Sequence, residues 1–138
     1  MKLLLNHLNI NVETKLIINT IPTLISCLVK NVPNLRKFEL LKGPEMICKL
    51  LKYKPTGSNE INDWKLVQVK IIEFLFFYLV PESSHDKKER VVYKDGCERY
   101  NMEQKVNILK EYLNNNVIEG LVNELKESKP FGSMNNEW

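Results

Sequence analysis

The sequence predicts an all-α fold of stacked helical repeats. Two observations carry that expectation. The first is a dense apolar run from Lys70 to Glu82, KIIEFLFFYLVPE, which Pro81 stops. The second is an echo at an offset of 50 residues, in which Lys15, Leu16, Ile17, Ile21, Leu24, Ile25, Leu28 and Val29 line up with Lys65, Leu66, Val67, Ile71, Phe74, Leu75, Tyr78 and Leu79. One apolar helix recurs, and such units bury their faces by stacking on one another. The order of long helix, short helix, Gly-Pro break, medium helix, loop and long helix is armadillo-like. The usual period of about 40 to 47 residues is stretched here by the Tyr53 to Asn62 loop.

The elements follow in order. Leu3 to Leu8 reads as a short first helix. Glu13 to Asn31 reads as a long one, in which Pro22 should kink or split the helix, because proline lacks the N–H and crowds the preceding turn. Pro33 to Leu41 is a short helix with its proline in the tolerated first turn. Gly43 is expected to end it in the left-handed conformation, and Pro44 starts the next helix, through Met46, Ile47, Leu50 and Leu51. Pro55, Gly57, Ser58 and Asn59 mark Tyr53 to Asn62 as a loop. Asp63 is expected to cap a helix from Trp64 to Val80. At 100° per residue its core face holds Trp64, Val67, Ile71, Phe74, Leu75 and Tyr78.

Glu82 to Tyr100 is polar and reads as a mobile surface loop whose charges are solvated. Asn101 to Asn114 is amphipathic, with Val106, Leu109 and Leu113 inside and Lys105, Asn107 and Lys110 outside. Val117 to Glu127 places Ile118, Leu121, Val122 and Leu125 at helical spacing. Residues 1–132 therefore read as one domain and 133–138 as a polar tail.

Composition narrows the function. The chain has 138 residues, with 43% hydrophobic and 27% charged, which suits an ordinary globular core. The net charge is +3, and Lys and Arg are dispersed among acids, so no basic stripe points to nucleic acid. The Val67 to Val80 run is short of the roughly 20 apolar residues of a membrane span, and Lys70 and Glu73 interrupt it. Asn6, His7, Asn9 and Asn11 cut short any secretory apolar region after Met1. Cys27, Cys48 and Cys97 form no CxxC pair, so free thiols are expected and a zinc site is not. The five glycines are scattered, with no phosphate loop. His7 and His85 have no nucleophile near them in sequence and read as solvated. No catalytic residue, metal or cofactor is expected. The lack of any alanine, beside much Asn, Ile and Lys, reads as coding bias.

The candidate site lies on the back of the second long helix. The equivalent stripe on the first is polar: Lys15, Asn19, Thr23, Ser26 and Lys30. On the second it is Lys65, Val69, Glu73, Phe76 and Val80, with Ile72 beside them. Something must cover Val69, Ile72, Phe76 and Val80, since a contiguous apolar patch usually marks an interface. Either the helices within Asn101 to Glu127 cover it as a third layer, or it is a groove for a partner helix.

Several segments together resemble one family. They are Asn34 to Glu39 with Leu41 and Gly43; Lys70 to Glu82; and Tyr112-Leu113-Asn114-Asn115, Leu121-Val122, Glu124-Leu125, Glu127-Ser128 and Pro130-Phe131-Gly132. The chain resembles, from about Ile21 to Gly132, the fungal septation-initiation-network component of the cell division control protein fourteen family. That family is distinct from the phosphatase of the same name. The resemblance implies an armadillo-like fold and no catalysis. It implies a subunit that binds a germinal-centre-type serine/threonine kinase in the cytoplasm, at the spindle pole body, to trigger septum formation. Two departures bear on how a partner is held: less chain ahead of the first shared segment, and a shorter loop before Asn101. A generic helical-repeat adaptor unrelated to septation is the competing expectation.

Overall fold

The computed structural model describes residues 1–82 and 95–128. Among these residues every regular element is an α-helix: α1 (Lys2–Asn6), α2 (Thr14–Leu28), α3 (Val32–Leu40), α4 (Gly43–Lys52), α5 (Ser58–Leu79), α6 (Met102–Leu109) and α7 (Asn115–Ser128). No described helix is long and apolar enough to cross a membrane.

α2 and α5 pack side by side, more extensively than any other pair. Their buried positions carry the fifty-residue offset: Ile17, Ile21, Leu24 and Leu28 on α2, and Val67, Ile71, Phe74 and Tyr78 on α5. Pro22 sits inside α2 without splitting it. It lies on the exposed face of the helix, away from the core packing. All six side chains expected in the core of α5 are buried, with Phe38 of α3 joining Phe74 at 5.5 Å and Tyr78 at 6.3 Å between ring centroids.

α5 begins at Ser58, not Trp64, so Gly57 is the cap residue and Asp63 lies within the helix. The start of α4 also differs from expectation. Lys42, not Gly43, takes the left-handed conformation, with φ 64°. Gly43 is needed for a different reason: a Cβ there would run into the Phe38 ring. Asn31 caps α3 by accepting the Asn34 N–H at 3.1 Å. Asn101 and Gln104 form a reciprocal capping box on α6, each bond 2.9 Å.

α4, α6 and α7 complete the packing around α5. Leu109, Leu113, Ile118, Leu121 and Leu125 join the same core as α2 and α5. α6 and α7 each pack more on α5 than on one another.

Candidate functional site

The apolar stripe on the back of α5 divides into two parts. Toward the N-terminal half, Leu66 is 58% exposed and Val69 51% exposed. Glu73 is exposed and lies 3.3 Å from Lys70. Ile72 and Phe76 are half-buried and pack against the core. Val80 is buried, so the exposed part of the stripe stops before it. The reason is α6: Lys105 Nζ donates to the Val80 carbonyl at 3.0 Å, drawing α6 over the end of α5. Leu66 belongs neither to the expected core face of α5 nor to the expected stripe, and the structure adds it to the exposed apolar surface. Its counterpart in the echo, Leu16, is exposed too, at 42%.

A cluster of charges, fully buried at Glu82 and Lys105 and half-buried at Arg36 and Glu39, lies at that end of α5. Arg36 and Glu39 are one turn apart on α3 and pair with each other, and Arg36 also pairs with Glu82. The Tyr78 hydroxyl donates to Glu39 at 2.6 Å. Lys105 Nζ lies 3.5 Å from the Glu82 carboxylate, and both side chains are fully buried. The Glu82 N–H donates to the Tyr100 carbonyl at 3.0 Å, and the Tyr100 N–H donates to Glu82 at 3.4 Å. The Arg36 guanidinium stacks 3.5 Å from the centre of the Tyr100 ring. Two cations face two carboxylates, which is how buried charge is tolerated.

Two expectations are corrected by this cluster. Lys105 is not on the outside of its helix, because its long apolar stem carries the ammonium inward to Glu82 and Val80. Glu82 is not the start of a solvated loop, and Tyr100 is held against Arg36. The middle of the expected mobile loop, 83–94, and the polar tail, 133–138, lie outside the described residues.

The cluster joins elements and offers no poised nucleophile. Burial first, then the neighbouring Glu39 charge, pushes the Tyr78 hydroxyl far above its ordinary range. Burial likewise pushes the Cys48 thiol up to about 12, despite an opposing pull from Lys52. Cys27, Cys48 and Cys97 are free thiols. Among the described residues, no three His, Cys, Asp or Glu side chains gather as a metal site. His7 is half-buried rather than solvated, with Nδ1 3.5 Å from Thr20 Oγ1. His85 lies outside the described residues.

A family model described as "Cell division control protein 14, SIN component" matches residues 1–96. The chain belongs to this family. The matched span contains Arg36, Glu39, Tyr78 and Glu82, and it starts earlier than the Ile21 expected from the shared segments. Among curated members of the cell division control protein 14 family, the protein of that name from Schizosaccharomyces pombe (strain 972 / ATCC 24843) is 29% identical over 112 residues. The match covers 81% of this chain and 40% of that relative, so the chain spans well under half of the relative's length. No solved structure matches the chain.

Proposed function

We propose that the chain is a non-catalytic regulatory or scaffold subunit in septation initiation and cytokinesis signalling. In this reading it binds a germinal-centre-type serine/threonine kinase at the spindle pole body. The family membership supports the septation role. The armadillo-like arrangement belongs to the same reading, supported by the shared burial phase of α2 and α5, with residues 1–132 acting as one domain.

The observation that carries the partner site is the exposure of Leu66 and Val69 on a helix whose opposite face is core. Val69, Ile72, Glu73 and Phe76 form the proposed contact, with Leu66 added and Val80 serving from beneath. A partner helix laying an apolar face there would remove Val69 and Leu66 from water.

Val69→Asp is the test, since an exposed position tolerates a charge without unfolding the core. The tagged variant should keep its helical circular dichroism and lose the kinase found with the wild-type chain by mass spectrometry. Undiminished kinase recovery by a folded variant would remove this surface from the proposal. A wild-type chain that recovers other proteins and no kinase would favour the generic adaptor.

A further inference from the structure

The wedge between α1 and α4 shares no residue with the stripe on α5. α4 packs closely on α3, α5 and α6, but α1 does not close onto it, and the gap encloses about 580 Å³. One face of α4 and its cap supplies Met46, Lys49, Leu50 and Tyr53, at helical spacing, and α1 with the turn after it supplies Leu5 and Leu8. Leu5, Leu8 and Leu50 are buried, and Met46 and Tyr53 are half-buried against the core. Tyr53 is braced edge-on against Trp64, 4.8 Å between ring centroids. The apolar floor is thus in place before anything covers it, and covering it is favourable in proportion to the area withdrawn from water.

The charge of the groove is one-sided. Among the described residues that line it, Lys49 and Lys52 are the charged ones, and both are exposed. Lys49 reaches Glu45 at 3.3 Å, one turn back on α4, in a pair open to solvent that a partner's carboxylate can replace. Lys52 pairs with no acid among the described residues. The cations stand on a rim above a recessed floor, a shape that fits a rod better than a flat lipid surface. From Met46 to Tyr53 the face runs about 10 Å, the length of two helical turns. We infer that the α1–α4 groove docks an acidic amphipathic helix of a partner protein, with apolar side chains one turn apart on the floor and Asp or Glu beside them against Lys49 and Lys52. This inference does not rest on the kinase reading.

Two short synthetic helical peptides test it. Both carry leucine on one face, and their flanks carry glutamate in one and lysine in the other. The anisotropy of the labelled glutamate peptide should rise saturably with the full chain, and the lysine peptide should bind about fivefold more weakly, the scale of one exposed ion pair. Lys52→Glu, an exposed change, should keep the helical circular dichroism and weaken the glutamate peptide by about fivefold. In a methyl spectrum the glutamate peptide should move the Leu8, Met46 and Leu50 signals and leave those of Val69 in place. Equal binding of the two peptides, binding of neither, or unchanged affinity in folded Lys52→Glu would overturn the inference. So would shifts at Val69 without shifts at Met46 and Leu50. Recruitment of the chain by phosphatidylserine vesicles, lost in Lys52→Glu, would assign the groove to a membrane. A dimer mass with the same methyl shifts at rising protein concentration would assign it to a second copy. Either result overturns it.

Discussion

At the scale of single residues, Glu82 shows how far local pattern can mislead. It follows Pro81 and precedes Ser83, Ser84 and His85, so it reads as the start of a solvated stretch. Its partner Arg36 lies 46 residues away, and Lys105 is beyond the polar connection. No sequence window contains all three, and a lone charge is most often solvated. Truncating one member of a buried pair leaves its partners uncompensated, at a cost of about 3 to 5 kcal/mol. Glu82→Ala should lose that much in urea denaturation. Glu82→Leu combined with Lys105→Met should lose less than Glu82→Ala alone, since one buried cation goes with the anion. Equal losses would show that packing, not uncompensated charge, sets the cost.

At the scale of elements, α5 was the most legible. Its apolar side chains recur at helical spacing over four turns, and a face so regular has one way to be buried. Phe74 touches Phe38, Phe77 and Tyr78 within 6.3 Å between ring centroids. Phe74→Ala should therefore cost about 3 to 5 kcal/mol in chemical denaturation; a loss below about 1 kcal/mol would contradict the packing. The start of α5 was not legible, because Pro55, Gly57, Ser58 and Asn59 favour turns, yet the helix already begins at Ser58. The break before α4 was legible in place but not in mechanism. Gly-Pro marked it, yet the glycine answers to the Phe38 ring and not to a left-handed backbone. The candidate stripe was half legible. Its spacing came from periodicity, while the covering of Val80 depends on where α6 lands, which periodicity does not encode.

At the scale of the whole molecule, the side-by-side placement of α2 and α5 was readable because both helices carry the same apolar spacing, and faces of one period bury each other. The junction between the two ends of the chain was not. The segment 83–94 lies between Glu82 and Tyr100, and these two residues bond to each other directly. Arg36, Glu82, Tyr100 and Lys105 thus tie the part before the connection to the part after it without using its covalent continuity. Severed there, the protein becomes a two-piece assembly. Fragments 1–82 and 95–138, mixed, should regain helical signal beyond the sum of the separate spectra, and Glu82→Ala in the first should abolish the gain. Fused to the halves of a split reporter, the two pieces would turn that buried charge cluster into a readout of their own reunion.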